Sequence, residues 1–165
     1  MKGLSSKEMQ LVAEIEFDKK YFFTREDISH HFDSSASMHH TIHKLIAKER
    51  IISLNKNKYY LIPVRAKKGK WAEDAFILAD EIMNGKDYYI GGWAAANYWR
   101  LTEQIPAKIE VYSLKRCGQK SFLNTPFIFR KTSRKRLKES IKKKKKGHQF
   151  RILNKEESKK WLSRH

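Results

Sequence analysis

Apolar residues recur along this chain at two different periods, and the change from one to the other divides its first sixty residues. Leu11, Val12 and Ile15 share one side of a helix expected over residues 7–17, with Ser6 as its cap. The short apolar run Tyr21-Phe22-Phe23 leads to Thr24, which stands three residues ahead of Asp27 as an N-cap answered by an acidic side chain. The short helix it starts runs to about His31, with Ile28 and Phe32 turned inward. The turn DSSAS follows, with serines available as caps. A third helix is expected over residues 36–48, its inward side made by Met38, Ile42, Leu45 and Ile46. From Ile51 the period becomes that of a strand. Two short strands flank Asn55-Lys56-Asn57-Lys58, where asparagine tolerates the positive φ of a tight hairpin, and Pro63 ends the second. Three helices, the second one short, followed by a β-hairpin make the winged helix-turn-helix pattern.

The second half alternates differently. Residues 64–69 read as a basic joint. Trp71, Ala75, Leu78, Ala79 and Ile82 share one face of a helix over residues 71–83, closed by Asn84-Gly85. DYYIGG reads as a short strand feeding a glycine pair, and WAAANYWRL as a helix of small residues that lets a neighbouring backbone approach closely. Strands follow near residues 108–114 and 127–131. The tail reads either as a basic helix ending at Gly147 or as a hairpin turning at Lys146-Gly147. Phe150 and Ile152 alternate with polar neighbours, which favours the hairpin and puts the lysine run, residues 142–146, on an edge strand, where lysines block edge-to-edge pairing; the run is also a candidate second electrostatic contact on DNA or RNA. Asn154 caps a last helix with Glu156 and Glu157 in its first turn. The expected architecture is α+β: a winged helix-turn-helix over residues 1–64, then a small mixed α/β domain over residues 65–165.

Charge changes the picture from fold to partner. The 165 residues carry 36 Lys and Arg against 18 Asp and Glu, a net of +18, while hydrophobic residues at 40% suffice for modest cores. No fold needs that excess, and self-repulsion opposes compactness. A polyanion explains it, nucleic acid first, since each neutralised phosphate releases counterions. A membrane is not expected as partner, because no apolar run approaches the length of a span. The single cysteine, Cys117, excludes an internal disulfide and fits a reducing cytoplasm.

Placing Ile42 inward turns Ser37, His40, Thr41, Lys44 and Lys48 outward, a set without an apolar or acidic member. Hydroxyls, imidazole and cations on one helix face suit base edges and phosphates in a major groove of double-stranded DNA. Ser34 and Ser35 are placed either to cap this helix or to touch a phosphate. Lys56 and Lys58 at the hairpin tip would lie over the phosphate backbone. A symmetric site would take two copies, so a homodimer on DNA is expected. His39 and His43, four apart, are two ligands short of a zinc set, so neither metal nor cofactor is expected. There is no phosphate-binding glycine loop, HExxH or GxSxG, and Cys117 lacks an assignable partner histidine, so no enzyme is expected. Two other readings stay open. An RNA-binding or nucleic-acid-processing protein would stack bases on Tyr59, Tyr60, Tyr88, Tyr89 and Trp93 beside the basic tail. A protein-interaction module would bind through its second half alone.

The stretch DYYIGGWAAANYWRLTEQIPAKIEVYSLKR, residues 87–116, resembles the AbiEi family of type IV toxin–antitoxin antitoxins. Tyr89, Ile90, Ala95, Ala96, Leu101, Thr102, Glu103, Gln104 and Pro106 match its strand–helix–turn motif, and LTEQIP is the most specific block. KYYLIP, FLNTPFIFRKTSRKRL and GHQFRILNKEESKKWL extend the resemblance over roughly residues 20–162. The chain departs at Ala94 and Arg100, where the family often has Ser and Gly. Family members usually continue further, so the resemblance is to a short version with an incomplete C-terminal antitoxin domain. It implies a DNA-binding autorepressor that also counters a nucleotidyltransferase-like toxin.

Overall fold

The first helix, α1 (Ser6–Phe17), starts one residue earlier than its periodicity suggests. Ser5, not Ser6, is its cap: Glu8 N–H donates to the Ser5 hydroxyl, and the Glu8 carboxylate accepts from Ser5 N–H at 2.6 Å. The computed structural model to which this helix belongs describes residues 3–66 and 72–165. The chain is α+β and divides into two compact units, residues 1–71 and 72–165.

In the first unit, β1 (Phe22–Thr24) leads into α2 (Arg25–Ile28), extended by a 3-10 turn over Ser29–His31. Thr24 and Asp27 form the anticipated reciprocal cap, with Thr24 N–H donating to Asp27 Oδ2 at 2.7 Å. Helix α3 (Ser35–Ala47) follows, then β2 (Ile51–Ser53) and β3 (Lys58–Leu61). Strands β1 and β2 flank β3 antiparallel in a three-stranded sheet. One core holds the unit: Leu11, Val12 and Ile15 of α1, Ile28, Met38, Ile42 and Leu45 of the following helices, and Phe23, Ile51, Tyr59 and Leu61 of the sheet. At roughly 1.5–3 kcal/mol per fully buried large apolar side chain, this cluster is what fixes the helices' rotations.

The second unit begins with α4 (Ala75–Met83), later than the expected start. Asp74 ends the upstream chain as a cap, its Oδ1 accepting from Phe76 N–H at 2.9 Å. Residues 67–69 of the expected basic joint, with Lys70 and Trp71, lie outside the described residues. Next come β4 (Tyr88–Gly91), α5 (Gly92–Tyr98), β5 (Ile109–Ser113), β6 (Gly118–Phe122) and β7 (Thr125–Lys131). A short α6 (Arg134–Leu137), β8 (Ser140–Lys145), β9 (His148–Leu153) and α7 (Lys155–Leu162) complete the unit. The six strands run in the order β6-β7-β5-β4-β9-β8, a mixed sheet in which β5 pairs parallel to β7 and β4 parallel to β9. The tail is therefore the hairpin, and its lysine strand β8 is an edge. Helices α4 and α5 seal the sheet through rings: Phe76, Tyr98 and Phe150 lie within 5.7 Å of one another, centroid to centroid.

Strands β4 and β9 share a single bridge, Ile90 with Ile152, and then part. The Tyr88 hydroxyl fills the fork, accepting from Arg151 N–H at 3.0 Å and donating to Asp80 at 2.6 Å. Burial first, then the Asp80 carboxylate, push this phenol far above its ordinary range, so it stays a neutral donor.

Candidate nucleic-acid interface

Helix α3 is positioned from both ends. Ser34 is its cap, its hydroxyl accepting from Ser37 N–H at 3.2 Å, which leaves Ser35 as the exposed first residue. Met38, Ile42 and Leu45 are buried and Ile46 is half-buried against the core. His40 and Lys44 are exposed, as the sequence reading expects.

Two of the expected outward residues are not outward. Thr41 is only 8% exposed, and its hydroxyl donates back to the Ser37 carbonyl at 3.0 Å, so it is unavailable to a base. Lys48 turns inward, its Nζ 2.6 Å from Glu8 Oε2 on α1, with 20% of its side chain exposed. The buried arc of α3 is centred nearer Leu45 and Met38 than Ile42, which takes in Thr41, and the Glu8 carboxylate of α1 draws Lys48 inward. The open face is rotated accordingly. It carries Ser35, His39, His40, His43 and Lys44, with Ala36 and Ala47, and Ser37 sits half-buried at its margin. His39 and His43 thus belong to the open face, although the outward set expected from Ile42 did not include them. No Asp or Glu occurs within the helix.

The hairpin tip forms without the positive φ expected of its asparagines, neither of which adopts one. The Asn55 side chain makes the turn instead, its Oδ1 accepting from Asn57 N–H and Lys58 N–H, both at 3.0 Å. Asn57 in turn donates to Glu26 Oε2 at 3.0 Å, fastening the tip to α2. Lys56 is exposed at the tip, whereas Lys58 is half-buried opposite Thr24.

The stacking platforms of the RNA reading are core residues. Tyr59, Tyr60, Tyr88 and Tyr89 are each at most 4% exposed, and Trp93 is half-buried against the edge of Trp161 at 5.3 Å. Stacking needs an open ring face, which these four tyrosines lack. Among the described residues no three His, Cys, Asp or Glu side chains converge as a metal set, and no helix is long and apolar enough to cross a membrane.

No protein-family model matches this chain, and no curated protein matches it either. Any functional reading therefore stands on the residues themselves. The LTEQIP block lies between α5 and β5, where Asn97 Nδ2 donates to the Gln104 carbonyl at 3.1 Å and Gln104 N–H to the Thr102 hydroxyl at 3.2 Å. That turn leaves Ile105 85% exposed.

Proposed function

We propose that the first unit is a winged helix-turn-helix, and that the protein is a DNA-binding transcriptional regulator of the AbiEi antitoxin type. Helix α3 lies in the major groove of duplex DNA, and the β2–β3 tip lies over the neighbouring backbone. One observation carries the reading: the open face of α3 presents Ser35, three imidazoles and Lys44, while the helix contains no carboxylate. A solvated helix face ordinarily mixes both signs of charge; one without anions suits phosphate and base-edge acceptors. Exposed Lys56 gives the wing its phosphate contact. A symmetric operator would take two copies, so the reading includes a homodimer on DNA.

Action against a nucleotidyltransferase-like toxin rests on the LTEQIP resemblance alone.

The test is duplex binding by the full chain, using DNA from immediately upstream of its own reading frame. Lys44→Glu is expected to weaken binding by more than about 1 kcal/mol. Thr41→Val, one turn before Lys44 but buried with its hydroxyl on the Ser37 carbonyl, is expected to leave it unchanged. Equal effects of the two, or none from Lys44→Glu, remove the groove assignment.

A further inference from the structure

The charge excess is not where the first unit would need it. Residues 72–165 hold 22 Lys and Arg against 10 Asp and Glu, a net of +12, twice that of residues 1–71. Within residues 130–151 twelve cations meet one acid, Glu139. This stretch runs from the end of β7 through α6 and β8 into β9.

Strand alternation sorts these cations into two sets. Lys143 and Lys145 lie over the rings of Trp99 and Phe76, at 5.3 and 5.2 Å, and Lys145 also pairs with Asp74 at 2.8 Å. These two serve the fold. Lys142 and Lys144 point to the opposite side of β8, are exposed, and have no ion-pair partner among the described residues. Lys142 faces Arg151 directly across the ladder, a like-charge pair that works against sheet formation. The turn adds a second cost. Lys146 takes φ 49° and Gly147 φ 83°, the backbone of a tight hairpin turn that favours asparagine ahead of glycine. A lysine held there keeps a cation at the tip against local preference. Arg134, Lys135, Arg136 and Lys138, on and just after α6, are exposed as well.

Lysines on an edge strand deter pairing with other sheets, but that role asks nothing of the turn or of α6. A repulsive cross-strand pair, a strained cationic tip and a basic helix in one continuous segment exceed it. We infer that the α6–β8 segment is a second nucleic-acid surface, which grips the phosphate backbone of duplex DNA without reading its sequence. Lys142, Lys144 and Lys146 make the contact along the strand, and Arg134, Lys135 and Lys138 extend it. Duplex is favoured over single strands because no aromatic ring is among the exposed large apolar side chains of this unit. The surface goes beyond the α3 reading and acts whether or not α3 enters a groove.

The experiment measures affinity of the full chain for a random-sequence duplex across salt concentrations. The variant is Lys142→Gln/Lys144→Gln/Lys146→Gln, with a Lys→Glu version of the same three as second variant. All three side chains are exposed, and circular dichroism checks the fold. Three lost phosphate contacts should lower the slope of log K against log salt by about 2–3 and the affinity about tenfold or more. An unchanged slope in both variants overturns the inference, as does a single-stranded oligonucleotide or duplex RNA bound more tightly than duplex DNA. Lys44→Glu run alongside separates the two surfaces: loss on the upstream DNA with an unaltered triple variant leaves the α3 reading standing alone. The reverse pattern leaves the second surface standing alone.

Discussion

The ammonium of Lys48 lies 2.6 Å from the carboxylate of Glu8, forty residues earlier in the chain. Glu8 is 2% exposed, also holds Ser5 N–H, and has its second oxygen buried without a hydrogen-bond partner among the described residues. The pair joins the start of α1 to the C-cap of α3 and holds Lys48 away from the open face. Removing the cation strands a buried carboxylate. Lys48→Met is expected to destabilise the protein by about 1–3 kcal/mol, below the ~3–5 kcal/mol of a wholly buried pair because Lys48 keeps some water contact. Glu8→Gln/Lys48→Met should recover most of the loss, measured by urea unfolding. A Lys48→Met protein of unaltered stability and weakened DNA binding would return Lys48 to the interface.

Acid should unfold the first unit through the same contact. Burial alone would raise the Glu8 pKa, but the Lys48 ammonium and the Ser5 hydrogen bonds outweigh it and hold the carboxyl below its ordinary range. Asp27, opposed by burial and favoured by Lys20 at 2.6 Å and by Thr24, is lowered too. Because both folded-state values are depressed, their stabilisation is present above the ordinary carboxylate pKa of about 4 and is lost as pH falls through the lowered values. The urea midpoint should owe no change to these groups between about pH 7 and 5, then fall below about pH 4. Glu8→Gln should make that acid limb shallower.

Tyr88→Phe tests the fork between β4 and β9. It leaves Arg151 N–H without its acceptor and Asp80 without a 2.6 Å donor, with no change in ring packing. A loss of about 1–3 kcal/mol is expected, the penalty for an unsatisfied buried polar group. Unaltered stability would mean that water replaces the hydroxyl.

Gly91 and Gly92 make a matched pair. A Cβ on Gly91 would stand 2.7 Å from the Tyr112 ring, which stacks on Tyr89 at 5.1 Å. A Cβ on Gly92 would meet the Glu110 carboxylate, held by Arg130 and Tyr112, and Gly92 also has φ 59°. Both Ala variants should lower the thermal midpoint, Gly92→Ala by at least the roughly 1 kcal/mol that a left-handed conformation costs a side chain. Equal stability of Gly92→Ala and the parent would show that β4 and α5 can shift apart.

Chain-local signals carried most of the element order. Periodicity placed α1, α3 and α4, the Thr24–Asp27 and Asn154 caps are as read, and the alternation of Phe150 and Ile152 distinguished a hairpin from a helix. Strand β6 was silent, because four of its five residues are exposed and show no alternation of apolar and polar positions. Helix α6, at four residues, is too short to show a period. At the site, His40, Lys44 and Lys56 were legible, since each lies opposite a clear apolar position or at a turn tip. Thr41 and Lys48 were not: ideal helical spacing gives the direction of a side chain but not what stands in front of it.

By itself, then, the sequence determined the succession of helices and strands apart from β6 and α6, the α+β class and the cationic excess, all properties of neighbouring residues or of the whole composition. Only the tertiary structure decided the rotation of α3, the division of the lysines into those that pack on rings and those that face outward, and the burial of the tyrosines. Those depend on which distant surfaces meet, and a buried charge such as Glu8 admits only the arrangement that supplies its partner.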